Sequence, residues 1–221
     1  MIIDDGVNID QALIDRCIQG AFSFQGQVCI SLQRIYVHTN QYHVFVDKFM
    51  ERVQTLKIGD PLEESTDISA LISPADIERT LNWVEEAKKA GARVVIGGKS
   101  EGNVLNPTVI LDASPELKVS CQEVFAPIVL INKINTVEEA YELVNDSRYG
   151  LQAGIYTNNI HTAFEAAEQL HVGGVMINDI PTYRVDHMPY GGVKESGTGR
   201  EGIKYAVEEM TELKLVVFNR S

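Results

Sequence analysis

The feature that most constrains this chain is a steady alternation of two apolar rhythms. Stretches with apolar residues three and four apart give way, again and again, to short runs of β-branched residues. Ile9, Leu13, Cys17, Ala21 and Phe24 make one such stripe and predict a helix over residues 8–24, with Asn8 and Gln11 resembling a capping box. Ile35 to Val37 reads as a strand, and 42–56 as a second helix stopped by Lys57-Ile58-Gly59-Asp60-Pro61. Ser73-Pro74 is a helix start, a hydroxyl cap followed by proline at the first helical position. Ile77, Leu81, Val84 and Ala87 give that helix its buried stripe, and Gly91 ends it. Strands are expected at 93–96, 108–111, 128–131, 154–156 and 174–178, the last of a fully buried type. Helices are expected from Thr136 to near Gly150, over 161–170 and over 203–211. This order dictates an α/β fold, a mostly parallel sheet with helices on both faces. No repeat, low-complexity tract or linker divides the chain.

Composition narrows the function. A net charge of -12 lacks the basic footprint of a nucleic-acid binder and disfavours anionic membrane surfaces. No run approaches the ~20 apolar residues of a membrane span, and the first residues have no leader character. Three cysteines without disulfide-type spacing fit a reducing, cytoplasmic setting with free thiols. The five histidines are scattered, so no zinc site is expected.

The thiols differ in setting. Cys17 lies on the apolar face of a helix and reads as a small buried hydrophobe. Cys121 reads as structural or incidental. Cys29 follows Gly26-Gln27-Val28, where regular structure breaks, and a glycine there lets backbone approach a ligand. Amides around such a turn can face a developing oxyanion. Taken alone, this spacing leaves a catalytic and an ordinary turn cysteine both open.

Several segments together carry a resemblance. Phe22 to His38, with Cys29 after Gly-Gln-x, is one. Glu123-Val124-Phe125-Ala126-Pro127 is another, and Gly173 to Asn178 a third. Pro189-Tyr190-Gly191-Gly192-Val193-Lys194-Glu195-Ser196-Gly197, continued by Arg200-Glu201-Gly202, is the fourth. In order and spacing they resemble the aldehyde dehydrogenase superfamily, with Ala126 where glycine is usual and Tyr190 where phenylalanine is common. The resemblance implies a catalytic domain over 1–211 and a terminal oligomerisation strand over 212–221. It also implies that the N-terminal dinucleotide-binding domain, with its general-base Glu and oxyanion Asn, is absent from this chain. It implies NAD- or NADP-dependent oxidation of a small aldehyde through a thioester on Cys29, with low activity for this segment alone. The implied cofactor contacts are Glu123 and Phe125; the implied substrate pocket includes Val28, Tyr190 and Arg184. The polar run Pro181 to Met188 is similar to the lactaldehyde and phosphonoacetaldehyde dehydrogenase subgroup. There Arg184 either faces an anionic substrate group or anchors the loop by pairing with Asp186 or a neighbouring segment. Expected partners are a second copy, through Leu213 to Phe218, or the dinucleotide-binding half. A non-catalytic module associating through that strand and a thiol esterase remain the alternatives.

Gly197-Thr198-Gly199-Arg200-Glu201-Gly202 also fits a dinucleotide fingerprint. Its preceding residues are loop-like and the chain ends one strand later, so these glycines are expected to shape a loop instead.

Overall fold

The computed structural model describes residues 1–220. Seven strands form the central sheet: β1 (Ile2–Ile3), β2 (Arg34–His38), β3 (Arg93–Ile96), β6 (Thr108–Leu111), β7 (Ile128–Ile134), β9 (Gln152–Tyr156) and β10 (Gly174–Ile177). Their order is β10-β9-β1-β2-β7-β6-β3, and every neighbouring pair is parallel except β3 with β6. Two small antiparallel pairings lie outside it, the hairpin of β4 (Ser100–Glu101) with β5 (Val104–Leu105) and the long-range pair β8 (Tyr149–Gly150) with β11 (Val193–Lys194).

Strand alternation sorts the helices onto two faces. Ile35, Val37, Val109, Leu111, Val129 and Ile131 point to the face covered by α1 (Gln11–Phe22) and α2 (Thr39–Gln54). Ile110, Ile128 and Leu130 point the other way, against Ile77, Val84 and Ala87 of α3 (Pro74–Lys89). Tyr36, Ile134, Ala153 and Ile155 share that second face with α5 (Val137–Asn145) and α6 (Ile160–Gln169). The short α4 (Lys118–Cys121) and α7 (Ile203–Glu209) complete the set.

The sequence signals of helix starts are borne out where the cap is a hydroxyl. Ser73 Oγ accepts from the Asp76 amide, and Thr136 Oγ1 from the Glu139 amide. The first helix differs from expectation. Its cap is Asp10, whose carboxylate accepts from the Leu13 amide, so Asn8 and Gln11 form no capping box. Asp10 wins because its charge suits the positive helix end. The fifth helix stops at Asn145, short of Gly150, since Tyr149 and Gly150 are drawn into the pairing with β11.

Two strand expectations are corrected. β10 is an edge strand with half-exposed residues, and Ile177 is 41% exposed. Its apolar run imitates a central strand, but the sheet ends there. Leu213 to Phe218 has no regular structure, and its side chains are exposed. A strand needs a ladder partner, and among the described residues none is offered to this segment.

Candidate functional site

Helix α1 ends at Phe22, and the backbone then turns back on itself. Phe24 and Gln25 take left-handed conformations, with φ of 54° and 56°, and Gly26 follows at 68°. Gly26 is required twice over. Its φ is costly for other residues, and a Cβ at this position would lie 2.2 Å from the Ala126 carbonyl oxygen. The thiol turn and the Glu123–Pro127 segment are thus pressed backbone to backbone. Gln33 joins them further. Its amide nitrogen donates to the Val119 and Gln122 carbonyls at 2.9 and 2.8 Å, and its oxygen accepts from the Val124 amide at 3.1 Å. Arg79, stacked over Trp83, donates to the Val124 carbonyl at 2.9 Å.

This clamp leaves Cys29 exposed at the start of the run into β2. Among the described residues, no acceptor takes the Cys29 amide N–H. The sulfur lies at the junction of two open cavities. One, of about 300 Å³, is lined by Cys29, Gln33, Glu123, Tyr149, Gln152 and Ser196 among others. The other, of about 690 Å³, is lined by Cys29, Tyr190 and the Gly191–Glu201 loop.

Tyr190 reaches the thiol directly, its phenol oxygen 2.8 Å from Cys29 Sγ. The residue is buried and is held by two backbone hydrogen bonds exchanged with Glu201, at 3.1 and 2.6 Å. Gly191 lets the loop fold over this point, since a Cβ there would meet the Gly199 carbonyl oxygen at 2.7 Å. The Arg184 guanidinium sits 4.8 Å above the Tyr190 ring and pairs with Glu201 at 3.4 Å. Asp186 is not its partner. Burial and the adjacent thiol push the Tyr190 phenol above its ordinary range, and Arg184 opposes that shift. Cys17, by contrast, is fully buried, and desolvation pushes its thiol far up.

The other expected residues are placed as follows. Glu123 is exposed on the wall of the smaller cavity, and its carboxylate has no hydrogen-bond or ion-pair partner among the described residues. Phe125 is 39% exposed with φ of 51°, and it lines neither cavity beside the thiol. Val28 is half-buried and also lines neither. Its carbonyl accepts the Ser31 amide at 3.0 Å, which shapes the turn around Cys29. Asn178, at φ 55°, caps the next turn by accepting the Thr157 amide at 2.9 Å. The glycines of Gly197 to Gly202 belong to the loop that carries Tyr190's partner, and the strand just before them, β11, lies outside the central sheet.

Sequence reasoning gave no role to Gln33 or Arg79, and it placed Glu201 in a motif without foreseeing that Tyr190 and Arg184 are its partners, because those partners lie apart along the chain. It also missed Thr182, whose hydroxyl donates to the Ile30 carbonyl at 2.9 Å and ties the 181–188 loop to the thiol turn.

A model of the aldehyde dehydrogenase family matches residues 1–216. The chain belongs to that family. Aldehyde dehydrogenases similar to it include the 3-sulfolactaldehyde dehydrogenase of Priestia aryabhattai, 50% identical over 201 residues, covering 91% of this chain and 42% of the relative. The lactaldehyde dehydrogenase of Methanococcus aeolicus is 42% identical over 219 residues, covering 99% and 47%. Among solved structures, aldehyde dehydrogenase 21 from Physcomitrella patens, in complex with the reaction product succinate, superposes with a TM-score of 0.93 at 42% identity. That match covers 96% of this chain and 44% of the other. Glyceraldehyde-3-phosphate dehydrogenase from Methanocaldococcus jannaschii, complexed with NADP, gives 0.92 at 37% identity, covering 96% and 46%. The chain therefore spans less than half the length of the relatives it matches. Among the described residues no helix is long and apolar enough to cross a membrane.

Proposed function

We propose that this segment carries the thiol-bearing catalytic portion of an NAD(P)-dependent aldehyde dehydrogenase, and that Cys29 is its nucleophile. The observation that carries this is the exposed sulfur at a cavity junction beside an unengaged backbone amide. Cys29 Sγ, as thiolate, adds to the aldehyde carbonyl carbon. The carbonyl oxygen gains negative charge and lies toward the Cys29 N–H. A nicotinamide dinucleotide, when bound, would supply the hydride acceptor that this oxidation needs. An acyl thioester stays on Cys29, and water releases the acid and restores the thiol.

The residues present suit such a cofactor. The unpartnered Glu123 carboxylate can accept hydrogen bonds from two ribose hydroxyls. Phe125, partly exposed nearby in sequence, offers an apolar face to that end of the group. Val28 and Tyr190 flank the sulfur along the chain and across the fold respectively.

The substrate class is a short aldehyde of the lactaldehyde or sulfolactaldehyde kind, by analogy with the named relatives. Arg184 serves as an anchor, since Glu201 already faces it; a substrate anion would have to displace that carboxylate. Residues 1–211 form the catalytic unit. The apolar, exposed Leu213 to Phe218 segment pairs with a sheet edge of a second copy.

The test is Cys29→Ala in a full-length protein containing this segment. NAD(P)-dependent oxidation of lactaldehyde should fall by at least about 10³-fold, as expected when a covalent nucleophile is removed. Retained oxidation would end the reading. Cofactor-free ester hydrolysis lost in Cys29→Ala, without aldehyde oxidation, would favour the thiol-esterase alternative. Removal of residues 212–221 should lower the oligomeric state in light scattering.

A further inference from the structure

We propose that Tyr190 is a positioning residue for the thiol: its phenol donates a hydrogen bond to the Cys29 sulfur and holds it aimed into the cavity junction. The inference rests on the reading of Cys29 as a nucleophile. The two atoms lie 2.8 Å apart, within reach of a single hydrogen bond. When the sulfur is ionised only the phenol can donate. The phenol is kept protonated for that purpose, because burial and the neighbouring sulfur oppose its ionisation. Its position is fixed from three sides. Two backbone bonds with Glu201 hold the main chain, Gly191 closes the loop over it, and the Arg184 guanidinium caps the ring at 4.8 Å. Arg184 also raises the donor strength of the phenol, since a cation beside the ring makes the O–H more acidic.

A phenylalanine would fill the same volume without donating. The phenol therefore makes a difference that packing alone does not. Charge-assisted hydrogen bonds to an anion exceed neutral ones, enough to move a thiol titration by about one pH unit. Other titrating groups face the same cavities. Arg34, Glu123 and Glu195, with the Met1 amine and the Tyr36 and Tyr149 phenols, line the smaller one. Arg200, Glu201 and Glu209 line the larger. None of these has a hydrogen bond to Cys29 Sγ, so they act on it only through space.

The experiment measures iodoacetamide alkylation of Cys29 in this polypeptide against pH, followed by peptide mass. In Tyr190→Phe the midpoint should rise by about one pH unit, while the rate at high pH equals or exceeds the wild type, because an unbonded thiolate is more nucleophilic. Arg184→Gln should move the midpoint the same way by less. An unmoved midpoint in a Tyr190→Phe protein with native circular dichroism overturns the proposal. If that variant does not fold, site-specific 2-fluorotyrosine at 190, a somewhat stronger donor whose phenol still ionises above an ordinary thiol, must lower the midpoint; a midpoint that stays put or rises overturns it. Failure of the nucleophile reading has a separate signature: Cys29 would then alkylate no faster than Cys121 in the wild type.

Discussion

Cys17 and Cys29 sit on one short stretch of chain and have opposite fates. Cys17 is on the inner face of α1, fully buried among Leu13, Ile14, Ile18 and Ala21, with its sulfur 4.0 Å from the Met1 sulfur. Desolvation holds it as a neutral thiol. Cys29 lies beyond the left-handed turn, exposed, with a phenol on its sulfur and a free amide at its back. The thiols are the same chemical group. What separates them is that the helix ends at Phe22 and the backbone must reverse before β2 begins. Exposure of the thiol is placed by a helix end, and the buried side of α1 around Cys17 is what anchors that end.

Four measurements break or sharpen this contrast. The largest effect is expected in thiol chemistry itself. In the native protein Cys29 should alkylate on the order of 10³-fold faster than Cys17 at neutral pH, since the thiolate is the nucleophile and Cys17 lacks both ionisation and access. Equal rates at subdenaturing conditions would dissolve the distinction.

Next come two phenylalanines that bracket the helix end. Phe22 is 2% exposed and packs on Phe49, whereas Phe24 is 73% exposed. Phe22→Ala should cost about 3–5 kcal/mol in chemical denaturation, combining lost burial with a cavity. Phe24→Ala should cost no more than about 0.5 kcal/mol. Comparable losses would mean that the turn is packed as tightly as the helix.

Gly26→Ala tests the turn from the backbone side. Left-handed strain and the collision with the Ala126 carbonyl should together destabilise by roughly 3 kcal/mol. Because that collision moves the Glu123 segment, Cys29 alkylation should slow in whatever fraction stays folded. A stable Gly26→Ala protein with unchanged alkylation would show that the close approach is dispensable.

The smallest effect concerns how α1 is tied to the far side of the site. Arg16 bonds Asp179 through two nitrogens, at 2.7 and 3.0 Å. The Arg16 hydrogen bond lowers the Asp179 pKa below 3.8, aided by the Ile180 amide. A depressed carboxylate contributes stability above its unfolded pKa, and that contribution is lost as pH falls through the folded one. Asp179→Asn should therefore cost about 1 kcal/mol at neutral pH, screened by partial exposure, and nothing at strongly acid pH. A cost that did not shrink with acid would assign the pair a packing role only.

Legibility followed the range of the interactions. Ser73-Pro74 and Thr136 with Glu139 were readable because a cap and its amide lie within one turn. The stripes of α3 and, up to Ala21, of α1 were readable because helix geometry repeats within the segment; Phe24 was expected on the same stripe but lies past the helix end and is exposed. Asn8 with Gln11 resembles a capping box in the sequence, but the helix begins at Gln11 and its cap is Asp10. The edge position of β10 was hidden, since an apolar run does not say how many strands flank it. The terminal Leu213 to Phe218 reads as a strand for the same reason, although the described residues supply no ladder for it.

The candidate site divides along the same line. The amino-acid order by itself determined the alternating α/β plan, the break after α1 and the segments that mark Cys29 and Glu123, because each depends on residues adjacent along the chain. Only the tertiary structure decided that Tyr190 touches the Cys29 sulfur, that Gly26 abuts Ala126 and that Arg184 answers to Glu201. Those contacts join residues as much as 161 positions apart. Their partners are chosen by the order in which parallel strands stack, a choice that no local pattern encodes.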